Sequence, residues 1–337
     1  MLNVRTQKGY SFDDVLISPK YSTVRTRSAV DLSTTLGHIS MDVPFIAANM
    51  DSVCGPKMAS TMDSVGGFGV IHRNIPVKAG FFPTDGRFGC VAGRTLRSAV
   101  AFGVNDDLDD VVEEANNWRT QILVLDIAHG HSKHALDALK YVKSGLSYEA
   151  TMVGGNVATR QGVADLVDAG ADVVKVGIGP GSACSTRIVT GVGVPQLSAI
   201  ADCAYEADLL GVDTIADGGI KSSGDAAKAL AAGANAVMLG NLLAGAHESP
   251  GQVVDGYKEH RGMASSEAGS DYPEGVSGRV PYAGKTKDII SNLCKGVASA
   301  CSYVGAFDLA GLNINTEFIE ISSSTLRESA PHDIVNV

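Results

Sequence analysis

Eight short apolar runs, each followed by glycine or polar residues, set the strongest limit on the fold of this 337-residue chain. They begin at Pro44, Phe68, Gly89, Gln121, Ala150, Asp172, Asp213 and Asn235. Segments with helical spacing of apolar residues lie between most of them, and they begin at Leu108, Lys133, Arg160 and Ser223. Near-continuous apolar strands joined by helices indicate a parallel sheet covered on both faces, and eight such units indicate a closed (β/α)8 TIM barrel.

An open, doubly wound sheet is the alternative architecture. That fold has a G-x-G-x-x-G turn after its first strand, whereas the first apolar run here continues into Asn-Met-Asp-Ser at residues 49–52. The regular alternation favours one catalytic barrel domain over residues 1–337. The Gly-, Pro- and Ser-rich segment 248–284 is too long for an ordinary connection, so it is predicted to be a flap or lid. A further helix is expected over residues 288–304.

The charge and cysteine content argue against several functional classes. The formal net charge is −10 and no basic run occurs, which disfavours nucleic acid and anionic membranes as partners. Six cysteines without a C-x-x-C pair suit a reducing compartment, so a cytoplasmic location is expected. The first residues lack the apolar core of a signal peptide, and no apolar run reaches the length of a membrane span.

One loop has the composition needed to present a thiol. The sixth predicted strand runs into Gly177, Gly179 and Gly181, which permit backbone angles closed to other residues. Exposed amides and hydroxyls in such a turn favour an anion, and a thiolate at Cys184, beside Arg187, is stabilised there. A cysteine that fills a turn as a small hydrophobe is the ordinary alternative. That role does not require three glycines, so a nucleophile is favoured.

Polar residues and glycines collect at the predicted strand ends, where the active sites of barrel enzymes lie. They are Asn49, Met50, Asp51, Ser52, His72, Arg73, Asn74, Asp126, His129, His131, Gly154, Gly155, Asn156, Asp217, Gly218, Gly219, Gly240 and Asn241. Glycine turns after the seventh and eighth strands are typical of a phosphate site, and Asp217 beside them is suited to accept hydrogen bonds from ribose hydroxyls. The histidines at 129, 131 and 134 lack carboxylates or thiolates at metal-ligand spacing, which favours a polar loop over a metal centre.

Several segments resemble the inosine-monophosphate dehydrogenase and guanosine-monophosphate reductase family. They are GPGSACSTR at 179–187, GVGVPQLSAI at 191–200, the stretch DGGIKSSGDAAKALAAGANAVMLGNLLAG at 217–245, RGMAS at 261–265 and VPYAGK at 280–285. The resemblance extends from Phe12 to the SYVGA segment at Ser302, nearly the whole chain. It implies that Cys184 attacks C2 of a purine nucleoside monophosphate to form a covalent thioimidate, and that a hydride moves between C2 and a nicotinamide.

The resemblance also implies which residues hold the ligands. The nucleotide would be bound by Met50, Ser182, Asp217, Gly218, Gly219, Gly240, Asn241, Gly262 and Met263. The dinucleotide would be bound by Arg73, Asp126, Ala128 and Asn156. A monovalent cation such as K⁺ would lie on the carbonyls of Gly179, Gly181 and Cys184, and the chain would form a homotetramer. Asn241 and His260 stand where dehydrogenases usually have Ser and Tyr, which weakens side-chain contacts to the phosphate.

The resemblance leaves two reactions open, and the sequence favours the reductase. The dehydrogenase hydrolyses the thioimidate with an arginine from an Asp-Arg-Tyr segment of its flap, and the ten residues between Met263 and Glu274 contain no arginine. Thr186 and Glu274 match the pair that manages the protons of the leaving ammonia in the reductase. The prediction is a GMP reductase that converts GMP to IMP and ammonia with NADPH, with Cys184, Thr186 and Glu274 as catalytic residues.

Other functions remain possible at this point. The main alternative is an IMP dehydrogenase without regulatory domains, which converts IMP, NAD and water to XMP and NADH; the PEGVSGRVPYAG segment at 273–284 resembles bacterial dehydrogenases. A catalytically silent nucleotide-binding protein is conceivable because the flap is short. A flavin-binding barrel that uses the same phosphate site is the third alternative.

Overall fold

The computed structural model describes residues 7–74, 99–266 and 272–329. Its strands are β1 (Val15–Ile17), β2 (Thr34–Leu36), β3 (Ile39–Met41), β4 (Phe45–Ala47), β5 (Phe68–Gly69), β6 (Ala99–Phe102), β7 (Ile122–Leu125), β8 (Thr151–Val157), β9 (Val173–Val176), β10 (Asp213–Asp217), β11 (Ala236–Leu239), β12 (Tyr257–Arg261), β13 (Ser277–Pro281) and β14 (Phe318–Glu320). Its α-helices are α1 (Pro56–Ser64), α2 (Leu108–Trp118), α3 (Lys133–Gly145), α4 (Arg160–Asp168), α5 (Thr186–Thr190), α6 (Gln196–Leu210), α7 (Ser223–Ala231), α8 (Asn241–Ala244), α9 (Thr286–Tyr303), α10 (Leu309–Asn315) and α11 (Ser323–Glu328). Short 3₁₀ helices cover Phe12–Asp14 and Arg27–Ala29.

Strands β4 to β11 form one parallel sheet in the order β5-β4-β11-β10-β9-β8-β7-β6. The two edges meet at a parallel bridge between Ile71 and Val100. The Ile71 amide donates to the Ala99 carbonyl, and the Ala101 amide donates to the Ile71 carbonyl, both at 2.9 Å. These bonds close the sheet and confirm the predicted (β/α)8 barrel. The doubly wound alternative is wrong.

Seven of the eight predicted strands coincide with described strands. The run at Gly89 lies outside the described residues, and the strand found between β5 and β7 is β6, which was not predicted. Its Ala-Val-Ala-Phe sequence is fully buried. Alanine has little strand propensity, so a four-residue run with two alanines is recognised by its tertiary position rather than by its composition.

The amino-terminal end of the barrel is covered by the β2–β3 hairpin. The Gly37 amide donates to Oδ2 of Asp213 at 2.7 Å, and the His38 amide donates to Oγ1 of Thr151 at 3.2 Å. Asp213 and Thr151 are the first residues of β10 and β8. Gly37 has φ +57°, and a Cβ there would lie 2.7 Å from the Thr151 side chain, so the turn requires glycine. Burial raises the pKa of the Asp213 carboxyl. With this end covered, a ligand site must open at the carboxyl ends of the strands.

The barrel helices begin where their caps predict. The side chains that accept amide hydrogen bonds at the starts of α2, α3, α4 and α7 are Asp107, Ser132, Thr159 and Ser222. The helix expected over 288–304 is present as α9, and its first residue, Thr286, donates from its amide and its hydroxyl to the Glu248 carboxylate at 2.8 and 2.7 Å. None of the helices in the described ranges has both the length and the apolar character needed to cross a bilayer.

The segment 248–284 contains secondary structure of its own. Strands β12 and β13 pair antiparallel, with Tyr257 opposite Pro281. Lys258 of β12 is only 2% exposed, and its Nζ donates to the Ala246 carbonyl at 2.9 Å and the Ser249 carbonyl at 2.6 Å. These bonds fix the hairpin to the end of α8. The action of this segment as a flap stays a prediction.

Candidate active site

A cavity of about 710 Å³ opens at the carboxyl ends of the barrel strands. Nearly all of the predicted site residues line it. They are Met50, Arg73, Asp126, Ala128, Asn156, Gly181, Ser182, Cys184, Thr186, Asp217, Gly218, Gly219, Gly240, Asn241, Gly262, Met263 and Glu274. Gly179, predicted as a cation ligand, is not among the lining residues. Residues from most of the predicted strand ends are therefore brought together in one place, as the barrel topology requires.

The loop between β9 and α5 presents Cys184 to this cavity. Gly177 has φ +151° and Gly179 φ +79°, and a Cβ on Gly177 would lie 2.1 Å from the Asp217 carbonyl oxygen. Arg187 spans the base of the loop, with Nε donating to the Ile178 carbonyl at 3.2 Å and a terminal nitrogen donating to the Val194 carbonyl at 2.6 Å. The guanidinium was expected to favour a thiolate. Its hydrogen bonds join the start of the loop to the segment that follows α5, and stabilisation of a thiolate stays a prediction.

The thiol of Cys184 is exposed, and its Sγ donates to Oγ1 of Thr186 at 3.2 Å. The other cysteines in the described ranges have no such access. Cys54, Cys203 and Cys301 are buried, and burial raises the pKa of the Cys203 thiol to about 12 and that of Cys301 to about 11. These residues stay protonated at neutral pH, so Cys184 is the thiol available to a ligand.

This difference predicts selective alkylation. Iodoacetamide added to the native protein at neutral pH should modify Cys184 before it modifies Cys54, Cys203, Cys294 or Cys301, because the reagent needs an accessible thiol that can ionise. Peptide mass spectrometry over a time course measures the order of labelling. Earlier labelling of Cys294, which is half-buried, would contradict the assignment.

The residues around Glu274 form a wall beside the cysteine loop. The Ser185 amide donates to the Glu274 carbonyl at 2.7 Å, the Val276 amide donates to the Ala183 carbonyl at 3.0 Å, and Cys184 forms an antiparallel bridge with Gly275. This short ladder brings a carboxylate and a thiol into one cavity although about ninety residues separate them in sequence.

The wall is also tied to the loop after β4. Asp51 accepts from Nε of Arg261 at 3.0 Å and from a terminal nitrogen at 2.7 Å. Beside this pair, Oγ of Ser52 lies 3.0 Å from Nδ1 of His260, whose ring lines the cavity. Asp51 and Ser52 were predicted to lie at the barrel mouth, but their partners were not. The sequence carries no local signal for these pairs, because β12 meets the β4 loop only after the hairpin folds back.

Two buried imidazoles at the barrel mouth predict a pH dependence of stability. Burial lowers the pKa of both His260 and His72 below the ordinary value of 6.5. The Asp51 carboxylate partly opposes the lowering of the pKa at both histidines. At His72 the Asp126 carboxylate also opposes it, and the Arg261 guanidinium lowers the pKa further. The unfolded chain takes up protons as the pH falls through about 6.5, whereas the folded chain takes them up only at lower pH. The free energy of unfolding should therefore decrease as the pH is lowered below about 6.5.

Urea unfolding at a series of pH values between about 5 and 8 measures this slope. In the variant His72→Leu one of the two imidazoles is gone, and the stability should depend less on pH in this window. An unchanged slope in the variant would refute the contribution of His72.

The glycine turn after β10 lies against the cysteine loop, and the turn after β11 lies against Met50 of the loop after β4. Gly218 has φ +94° and Gly219 φ +81°, and a Cβ on Gly218 would lie 2.8 Å from Cγ of Pro180. A Cβ on Gly240 would contact Sδ of Met50 at 3.4 Å. The backbone of each turn thus approaches a neighbouring loop closely, and Gly218, Gly219 and Gly240 all line the cavity.

The side of the cavity predicted for the dinucleotide contains two polar contacts. Nε of Arg73 lies 3.5 Å from Oδ2 of Asp126. Asn156 donates from Nδ2 to the Gly177 carbonyl at 2.8 Å and to Oδ2 of Asp217 at 2.9 Å. Lys175 joins this second contact and was not predicted as a site residue. A signal was present, because a lysine inside the otherwise apolar run 173–178 needs a partner.

The predicted polar loop after β7 contacts helix α4 through His131. Nε2 of His131 lies 2.6 Å from Oδ2 of Asp165 on α4, and the ring centroids of His129 and His131 are 6.2 Å apart. Both imidazoles lie outside the residues that line the cavity.

The chain is similar to one known protein family and to several known enzymes that carry the same name. The family described as "IMP dehydrogenase / GMP reductase domain" matches residues 9–332. The inosine-5'-monophosphate dehydrogenase of Borreliella burgdorferi is 36% identical in an alignment that covers all of both chains. That of Nitrosopumilus maritimus is 33% identical over 98% of this chain and 99% of its own. That of Staphylococcus aureus is 47% identical over 72% of this chain and 53% of its own.

These relatives overturn the prediction of a GMP reductase, because each of them is named a dehydrogenase. The error came from treating the missing flap arginine as decisive. Hydrolysis needs a group that can accept a proton from water, and the cavity already contains the Thr186 hydroxyl and the Glu274 carboxylate. The expectation of NADPH rested on the same reductase prediction. With a match over almost its entire length and relatives that share a third or more of its residues, the chain belongs to the IMP dehydrogenase / GMP reductase family.

Proposed function

We propose that the protein is an IMP dehydrogenase, which oxidises inosine 5'-monophosphate at C2 with NAD and water to give XMP and NADH. The observation that carries the proposal is the exposed thiol of Cys184, 3.2 Å from the Thr186 hydroxyl, in a cavity that also contains the glycine turns and Glu274. The names of the relatives support this reaction.

The nucleotide is proposed to lie across the turns after β9, β10 and β11. Backbone amides at Ser182, Gly219 and Gly240 face the phosphate, and Asp217 accepts hydrogen bonds from the ribose hydroxyls. The purine ring then reaches the residues around the thiol. These purine contacts are proposed for Met50, Gly262 and Met263, and the remaining contacts to the phosphate for Gly218 and Asn241.

The first chemical step forms a bond between Sγ of Cys184 and C2 of the purine, while the thiol proton passes to solvent water and the bond from C2 to its hydrogen breaks. NAD, when bound, accepts the hydride that leaves C2, and the product on the protein is the thioimidate. The cavity fits a dinucleotide beside the purine because Arg73, Asp126, Ala128 and Asn156 line its other side with both donors and acceptors. Their role here is to orient the nicotinamide and exclude water until the hydride has left.

The second step adds water to C2 and breaks the carbon–sulfur bond, which returns the sulfur to Cys184 as a thiolate. The attacking water must lose a proton. We assign its positioning to the Thr186 hydroxyl, which lies beside the sulfur, and the final acceptance of the proton to the Glu274 carboxylate. This pair performs the task that the absent flap arginine would perform.

Two further parts of the proposal concern a cation and the assembly. K⁺ is proposed to bind the carbonyls of Gly179, Gly181 and Cys184; the Gly181 carbonyl accepts the Cys184 amide at 3.1 Å and keeps a second lone pair. The chain is proposed to assemble as a homotetramer.

Incubation of the protein with IMP and NAD, followed by NADH absorbance, tests the function. We expect NADH formation that depends on both IMP and Cys184, and no loss of NADPH absorbance with GMP. A folded protein that binds IMP without forming NADH would refute the dehydrogenase and favour a silent nucleotide-binding protein. A yellow preparation would instead indicate a bound flavin.

A further inference from the structure

Lys175 occupies a position on the cavity wall that its strand does not favour. It is the third residue of β9, between valines, and its side chain is only 4% exposed. Opposite it on β8 lies Gly155, where a Cβ would come within 2.7 Å of Cβ of Lys175. The glycine therefore leaves the volume that the lysine side chain needs. A buried ammonium in this position is costly unless it is paired.

The partners of Lys175 are two polar side chains, Asp217 of the proposed nucleotide site and Asn156 of the proposed dinucleotide site. Its Nζ donates to Oδ2 of Asp217 at 2.7 Å and also to Oδ1 of Asn156. Asn156 in turn donates from Nδ2 to the same Oδ2 of Asp217 at 2.9 Å. Lys175, Asn156 and Asp217, the Lys–Asn–Asp cluster, thus form a closed triangle of hydrogen bonds.

The triangle uses only one oxygen of the Asp217 carboxylate. In the part of the chain that the structure describes, Oδ1 of Asp217 accepts no hydrogen bond, and the side chain is 23% exposed on the cavity wall. The backbone of Asp217 is held as well, because its carbonyl accepts from Nε2 of Gln196 at 3.0 Å. Two donors thereby hold Oδ2, and Oδ1 is left free to meet a ligand.

We propose that Lys175 is a positioning residue of the nucleotide site. It holds the Asp217 carboxylate so that the free oxygen meets the ribose hydroxyls, and it fixes the Asn156 amide at the border with the dinucleotide. The identity of the ligand rests on the proposed function. The Lys175–Asp217 ion pair and the Asn156 amide hold one another in place before the ligand enters. No binding free energy is therefore spent on ordering the Asp217 carboxylate.

The variant Lys175→Met, which keeps the length of the side chain but loses its charge and donors, tests the role. We expect kcat/KM for IMP to fall roughly 100-fold, the loss typical of a misplaced binding group. The value for 2'-deoxy-IMP should fall much less, because this substrate lacks a hydroxyl that Asp217 would hold. The preference for IMP over 2'-deoxy-IMP should therefore shrink towards that of Asp217→Ala.

Lys258→Met is the matched control. Lys258 is also buried, but it donates to two carbonyls and does not line the cavity, so its loss should lower thermal stability and leave the preference for IMP unchanged. If Lys175→Met does not fold, Lys175→Gln takes its place; its uncharged amide is one bond shorter than the lysine ammonium, so a smaller change in the same direction is expected. A wild-type preference in a folded Lys175 variant would overturn the inference, and so would an equal loss in the Lys258 variant.

Binding measurements separate this inference from the proposed reaction. Calorimetric titration with IMP and with 2'-deoxy-IMP reports the same preference without turnover. A wild-type protein that prefers IMP but forms no NADH would refute the dehydrogenase, and the Lys175 variant would still decide the positioning role.

Discussion

Replacing Cys184 by alanine should lower kcat for IMP oxidation by at least roughly 10⁴-fold, the scale on which loss of a nucleophile is felt in covalent catalysis. The thiol is exposed in the cavity and lies 3.2 Å from Thr186, and the described structure offers no second exposed thiol. Binding of IMP should change little, because the proposed contacts to phosphate and ribose come from the turns after β9, β10 and β11. Stopped-flow NADH absorbance and calorimetric titration with IMP measure the two effects.

Cys294→Ala is the control for this variant. Cys294 is half-buried on α9, and burial raises the pKa of its thiol to about 11. Its loss should leave kcat unchanged. Residual activity of Cys184→Ala within about tenfold of wild type would rule out the covalent mechanism, since water alone would then replace the thiol.

Replacing Thr186 by valine should separate the two chemical steps. Valine has nearly the same shape but no hydroxyl, so hydride transfer should continue while hydrolysis slows by roughly 10²- to 10⁴-fold, the usual contribution of a positioned proton-transfer group. The NADH absorbance should show a rapid burst of about one NADH per enzyme molecule, followed by very slow steady-state turnover. The accumulated thioimidate should be visible as an adduct on Cys184 in intact-protein mass spectrometry.

Thr61→Val is the matched control, because the Thr61 hydroxyl lies on α1, donates to the Lys57 carbonyl and does not line the cavity. It should show wild-type steady-state turnover. A Thr186 variant with no burst would mean that the hydroxyl acts before hydride transfer. Unchanged steady-state turnover would mean that another group activates water, and the proposed pairing with Glu274 would then be wrong.

Much of the barrel could be predicted because its signals are local. The apolar run that becomes β9 and the capped segment that becomes α4 can each be recognised from about a dozen contiguous residues. Strand β6 was missed since its alanines have no local signature. The strand ends were predicted to meet because parallel strands of a barrel all point to the same face, and the cavity residues confirm that they do.

The partners of individual side chains could not be predicted in the same way. The Ser185 amide meets the Glu274 carbonyl, and His260 meets Ser52, only because a hairpin after the last barrel strand folds back over the mouth. Lys175 shows the same limitation. Its place in an apolar run indicated that it needs a partner, but the partner lies on a neighbouring strand.

The barrel, the thiol on its glycine loop and the family could be inferred from the sequence alone, because periodicity, glycine content and sequence motifs are properties of contiguous residues. The sequence did not determine the reaction, and the absence of one flap arginine led to the wrong choice between two enzymes of the family. The groups that surround the thiol, and the oxygen of Asp217 that remains free, are seen only in the folded chain. These contacts form between segments far apart in the chain, and the packing of the barrel, rather than their spacing in the sequence, sets the distances between them.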